Sequence, residues 1–303
     1  MMRPRTCFAL TLALVLTWGC GEGLGYTQSA TAAGLRSRWG NGAIIRFSFN
    51  QNFAPNNNND LVKAAVGDAV RTLAAAMPLA AGVPAVRFEE AGNTAVNRSG
   101  FDCVNMITFT DTNPEDQLPS GVIAVANTFF SLTAGTVQCG TQVINVAAGQ
   151  IVDADMVFNN RARFSTAIQA DGVHDIQGIA MHEAGHWLGL NHTGIQAAAM
   201  SPYGDTGEFP SRRLRTDDIA SLRNVYGASG GTISGRITTA AGAAVKGAHV
   251  VATDMTTGVT TVSAVSEQDG GYRIGGLPAG SYGVFVEPLD GPVRLSHVPE
   301  PFG

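Results

Sequence analysis

The sequence predicts an α+β domain followed by a small all-β sandwich. Two observations carry this. Up to Tyr226, alternating strand-like segments are interleaved with apolar stretches at helical spacing. After Tyr226 the helical pattern stops, a GASGG linker covers Gly227 to Gly231, and short alternating segments recur between turn signals. Composition agrees. Hydrophobic residues make up 45% of the 303, enough for a sizeable core, which excludes wholesale disorder. The 37 glycines and 7% aromatics point to short strands, many turns and small-residue packing. Nineteen basic against 24 acidic residues give a net charge of −5, which argues against a nucleic-acid binder.

In chain order, Arg3 and Arg5 precede an apolar run from Phe8 to Trp18, the pattern of a signal peptide over 1–20. The run is too short to span a bilayer, and no later stretch is long enough either, so a soluble secreted protein is expected, with no transmembrane segment. Cys20 after Gly19 resembles a bacterial lipoprotein site and would add a lipid anchor at the cell surface, although Thr17 stands where such sites carry Leu. A small-residue cleavage site near Ala30-Thr31-Ala32 is the rival. Residues 21–39, rich in Gly, Ser, Thr and Ala, read as a spacer. With Cys7 in the signal segment, Cys103 and Cys139 are left to form a disulfide in an oxidising compartment, the alternative being two free thiols.

Ala43 to Asn50 reads as a strand, and Leu61 to Met77 as a helix that Asp60 could cap and Pro78 stops. Val86–Glu89, Asn105–Thr110, Val122–Phe130, Gln142–Val146 and Met156–Phe158 read as further strands. Asp175–Leu190 and Thr216–Tyr226 read as helices, the second with Thr216 as N-cap and Asp217 and Asp218 in its first turn. Beyond the linker, Ile233–Ile237, Ala248–Asp254, Thr260–Val265, Tyr272–Ile274 and Tyr282–Val286 read as strands.

The chemistry sits in residues 182–192, His-Glu-Ala-Gly-His-Trp-Leu-Gly-Leu-Asn-His. On a helix, positions i and i+4 share a face, so His182 and His186 present their imidazoles side by side. His192 cannot share that face if the helix continues, and Gly189 lets the chain turn so that it can return. Three imidazoles suit zinc and leave a fourth position open, as in a catalytic site. Glu183 faces elsewhere on the helix and is placed to take the proton of a water whose pKa zinc lowers to about 7. By composition alone the full spacing arises by chance with odds of about 10⁻⁵, so the pattern is specific.

The same spacing is the signature of the metzincin metallopeptidases, which this sequence resembles. Met200 lies where that family has its methionine turn, in Ala197-Ala198-Ala199-Met200-Ser201-Pro202-Tyr203. Among metzincins the chain is most similar to the matrixins, through Gly185, Gly189, and the helix from Thr216-Asp217-Asp218-Ile219 to Val225-Tyr226-Gly227. Gly121 to Ala126 resembles their substrate-binding edge strand, with Ile123, Ala124, Val125 and Ala126 as substrate contacts. The resemblance implies a zincin-type catalytic domain over 40–228, with a twisted, mixed five-stranded sheet and three helices, and a zinc-dependent endopeptidase with one catalytic Zn²⁺ and protein or peptide substrates. Tyr203 then serves the oxyanion, the substrate pocket or plain packing.

The chain departs from that pattern in places. Val125 stands where matrixins carry a histidine for a second zinc, so none is expected. Asp153 and Asp155 are either calcium ligands or solvated turn carboxylates. No prodomain with a zinc-blocking cysteine is visible. His174, His249, His297 and Trp187 read as packing or surface residues. Residues 229–303 are similar to the carboxypeptidase regulatory-like domain, a transthyretin-like sandwich, through Ile233-Ser234-Gly235-Arg236, Asp269-Gly270-Gly271-Tyr272 and Gly276-Leu277-Pro278-Ala279-Gly280. That implies a folding, tethering or adhesive accessory. The rival to a peptidase is a surface adhesion protein with a vestigial metallopeptidase fold. Substrate identity and oligomeric state are not legible.

Overall fold

A computed structural model describes residues 35–289 apart from 52–58, 81, 110–117, 120, 168–171, 205, 208–211 and 228–229. The signal segment, Cys20, the Ala30-Thr31-Ala32 site and His297 lie outside the described residues.

The first domain is a mixed sheet with helices packed on it. Its strands are β1 (Ala43–Asn50), β2 (Val86–Thr94), β3 (Asn105–Thr108), β4 (Ala124–Phe130), a hairpin of β5 (Gly135–Cys139) and β6 (Gln142–Val146), and β7 (Ile151–Phe158). The five-stranded sheet runs β2-β1-β3-β7-β4. All its neighbours are parallel except the edge strand β4, which pairs antiparallel with β7. Helix α1 (Asn59–Ala76) buries Val62, Ala65, Val66, Ala69, Val70 and Leu73, the three-and-four spacing of a single apolar face, and packs against α2 (Ile176–Trp187). Asp60 sits in its first turn, where a carboxylate favours the positive helix end. The core between sheet and helices joins Phe49, Ile107, Met156, Met181 and Trp187.

The structure differs from the sequence reading at several places, short two-residue strands aside. Strand β7 starts five residues earlier than its apolar tail suggests, and all of its residues are buried. Strand β5 went unread. Helix α3 (Thr216–Val225) is capped by Arg215, not Thr216, and Asp218 accepts the Arg215 N–H at 2.7 Å. Residues 35–39 are built into the domain: Ser37 and Trp39 are buried, and Arg38 Nη1 donates to the Val225 carbonyl at 2.9 Å.

Asp153 and Asp155 are not solvated turn carboxylates. They are 0% and 1% exposed on β7. Asp153 Oδ2 accepts the N–H groups of Asp102 and Cys103, each at 2.8 Å, and Asp155 accepts those of Gly100 and Met106, each at 2.9 Å. The two carboxyls thus hold the turn before β3. Cys103 follows in that turn and is bonded to Cys139 at the end of β5. Opening this bond frees a loop with a sequence separation of 36. The double substitution to Ser is expected to cost about 3–4 kcal/mol in denaturant titration.

Burial, together with repulsion from Asp102, pushes Asp153 up to about 7, and burial with the Asp153 charge pushes Asp155 well up. A carboxyl whose pKa is raised on folding contributes stability that is complete below the unfolded pKa and lost as pH rises through the folded one. Asp153→Asn keeps an acceptor for the two N–H groups and carries no charge. The parent is therefore expected to lose stability from pH 5 to pH 8, and the variant to lose less. Urea titrations of both at the two pH values measure the difference.

The second domain holds five strands: β8 (Gly231–Arg236), β9 (His249–Asp254), β10 (Thr260–Val265), β11 (Gly271–Leu277) and β12 (Tyr282–Glu287). They form two sheets, β8-β11 and β10-β9-β12, that face each other over Val250, Ala252, Val262, Ala264, Ile274 and Leu277. Ala220 of α3 joins this core, so the helix belongs to both domains.

Candidate metal centre

Helix α2 carries the first two histidines and is fixed at both ends. At its start, Asp175 caps the Gly178 N–H at 2.9 Å. Arg212, from the loop after the methionine turn, grips the same carboxylate through Nε at 2.8 Å and through Nη2, and also donates to the Thr166 carbonyl. This pair is largely buried, so removing either partner would strand a charge.

At its end, Gly189 adopts φ +80° and turns the chain. The last carbonyls need partners there. Trp39 Nε1 donates to the Trp187 carbonyl at 2.7 Å, and the Tyr226 hydroxyl to that of Leu188 at 2.9 Å. The Ser37 carbonyl packs so tightly against Gly189 that an added Cβ would lie 2.2 Å from its oxygen. Sequence reading passed over Ser37, Trp39 and the Tyr226 hydroxyl, because only folding brings these three to the turn.

The turn delivers His192 back to the helix face. His182 Nε2 lies 3.2 Å from His192 Nε2 and 3.1 Å from His186 Nε2. Behind them, His182 Nδ1 donates to the Ala199 carbonyl and His186 Nδ1 to the Leu190 carbonyl, each at 2.8 Å. Those bonds select the tautomer that leaves Nε2 bare. Bare lone pairs this close repel unless a cation lies between them. Tetrahedral coordination at about 2.0–2.1 Å spaces nitrogens about 3.3 Å apart, so the residues fit zinc. Burial lowers the pKa of His182; burial and the neighbouring imidazoles push that of His186 well down. Both stay neutral, as ligands must.

Met200 is buried with Sδ against Gly185 of α2, where an added Cβ would lie 2.3 Å away. Glu183 is 5% exposed, and burial raises its pKa to about 8. A carboxyl held this way regains its charge when a divalent cation sits nearby. Edge strand β4 places Ala124 and Val125 half-buried and Ala126 buried, with Ile123 just before it accepting the Asn159 N–H at 2.8 Å. Among the described residues no strand pairs with the outer side of β4. Tyr203 is 41% exposed in the loop after Met200. His174 packs its ring against Phe164, and His249 lies buried in the second domain.

Comparison with known proteins agrees with this geometry. The family model for Matrixin matches residues 134–227, and that for the carboxypeptidase regulatory-like domain matches residues 232–290. A hatching enzyme of Paracentrotus lividus is 48% identical over 61 residues, 20% of this chain and 10% of that protein. Matrix metalloproteinase-C of Caenorhabditis elegans is 32% identical over 87 residues, 27% of this chain and 13% of that protein. Matrix metalloproteinase-25 of Mus musculus is 26% identical over 129 residues, 40% of this chain and 20% of that protein. The chain thus spans between a tenth and a fifth of the length of these relatives. The chain is similar to matrixins over the segment that bears the three-histidine centre, which fits zinc, and to carboxypeptidase regulatory-like domains over the segment that follows.

Proposed function

We propose that this chain is a secreted zinc-dependent endopeptidase. His182, His186 and His192 hold the metal, Glu183 is the general base and Met200 supports the site. The observation that carries the reading is the convergence of three Nε2 atoms, two of them left bare by Nδ1 bonds to backbone carbonyls.

When bound, zinc supplies a Lewis acid for the attacking water and the scissile carbonyl. Glu183 takes the water's proton and returns it to the leaving amine. The open side of β4, from Ile123 to Ala126, receives the substrate backbone by strand addition, which fixes the peptide in an extended form. Tyr203 stands in the loop that bounds the pocket for the substrate side chain. Secretion is supported by the signal-like segment and by the Cys103–Cys139 bond. No described helix is long and apolar enough to cross a membrane. Calcium at Asp153 and Asp155 has weaker support, since three of their four oxygens already accept backbone N–H groups.

The test is casein or gelatin hydrolysis by the purified protein with and without 1,10-phenanthroline. Cleavage that the chelator stops is expected. Intact casein with zinc bound would turn the reading towards the adhesion protein.

A further inference from the structure

The second domain reaches the loop behind the metal centre through named atoms. Asp217, at the start of α3, is 1% exposed, and its Oδ1 accepts the N–H of Ser263 in β10 at 3.0 Å. The Thr193 hydroxyl lies against the same carboxyl group. Thr193 directly follows His192, and its N–H donates to the Met200 carbonyl at 3.1 Å. The next residue, Asp218, accepts the N–H groups of Ala199 at 3.0 Å and Met200 at 3.1 Å. The Ala199 carbonyl in turn orients His182.

Two close approaches clamp this arrangement. Gly194 packs on His249 of β9, where an added Cβ would lie 2.7 Å from Nε2. Gly276 of β11, at φ +70°, packs on α3, where an added Cβ would lie 2.1 Å from the Ala220 oxygen. An accessory on a flexible tether needs neither contact.

We propose that the sandwich is part of the metal site's support, with Asp217 a positioning residue that links Ser263 of β10 to the loop bearing His192 and Met200. This rests on the zinc reading above. Outer contacts of this kind are worth about 10–100-fold in metal affinity. Coupling between two sites is reciprocal, so metal binding must stabilise the Asp217–Ser263 contact as much as that contact favours the metal. Asp217 is also a group that burial and the Asp218 charge raise to about 8. An amide is therefore a close substitute for it, and Asn keeps an oxygen to accept from Ser263.

The experiment uses the full chain. First, amide hydrogen exchange is compared between the metal-free and zinc-loaded parent. Slower exchange at Ser263 on loading is expected. Second, Asp217→Ala, Asp217→Asn and Gly276→Ala are titrated with Co²⁺ and with Zn²⁺ under competition, with circular dichroism as the check on folding. Asp217→Ala and Gly276→Ala are expected to weaken zinc by about tenfold or more and to shift the visible Co²⁺ bands. Asp217→Asn is expected to restore the parent's affinity and bands.

Unchanged Ser263 exchange in a parent that has taken up zinc would overturn the inference and leave the zinc reading intact. So would folded Asp217→Ala and Gly276→Ala proteins with the parent's affinity and bands. A parent that binds no metal would overturn both. If the variants do not fold, the exchange experiment on the parent decides alone.

Discussion

Glu183→Gln is expected to keep the metal and lower peptide hydrolysis by about 10²–10⁴-fold in kcat. The change preserves shape and volume on α2, so the three histidines and their carbonyl partners stay in place. It removes the one buried carboxyl group of the helix, and an amide cannot take a proton from water. Metal analysis alongside initial rates on a quenched peptide checks both halves. Parent-like cleavage would show that the proton goes elsewhere. Loss of zinc would show that Glu183 is a ligand and not the base.

Gly189→Ala is expected to damage the site from behind. The residue sits at φ +80°, which costs an L-residue roughly 1–2 kcal/mol. The Ser37 oxygen occupies the space for a Cβ, and that contact is backbone, so nothing flexible can move aside. A total loss of about 2–4 kcal/mol in stability is expected, with zinc weakened by about tenfold or more as His192 shifts with the turn. Gly140→Ala is the control. It is also left-handed, at φ +58°, but no atom lies within 4 Å of the added Cβ. It should cost about 1 kcal/mol and leave zinc affinity unchanged. Denaturant titration and zinc competition on both variants make the comparison. Equal, small losses would mean that the Ser37 contact does not set the turn.

The candidate site was legible because its ligands lie within eleven residues, on one helix and one turn, where spacing alone dictates geometry. Apart from Met200, which likeness to the metzincins implied, its supports were not. Trp39 caps a carbonyl 148 residues away, and Asp217 meets an N–H 46 residues on. Such pairings follow from tertiary packing and leave no local period. The acidic pair at 217 and 218 reads as ordinary first-turn charge, yet both carboxyls are buried at a junction. Asp153 and Asp155 misled for a related reason. Carboxylates in a short apolar run suggest a turn, whereas here the turn before β3 and β3 itself supply the donors that let an interior strand bury them. A mixed five-stranded sheet was implied by likeness to matrixins, and the structure has one, parallel but for its antiparallel edge strand; the order of its strands was not read. Spacing could not reveal that order, since every strand pairing in it is long-range.

The central claim is that the three-histidine centre is a peptidase site. Activity titration tests it most directly. The protein is stripped with chelator, zinc is returned in fractions of an equivalent, and casein hydrolysis is read at each point. Hydrolysis that rises with zinc and levels off at one ion per chain is the expected result. Hydrolysis indifferent to zinc, or none when one equivalent is bound, would contradict it.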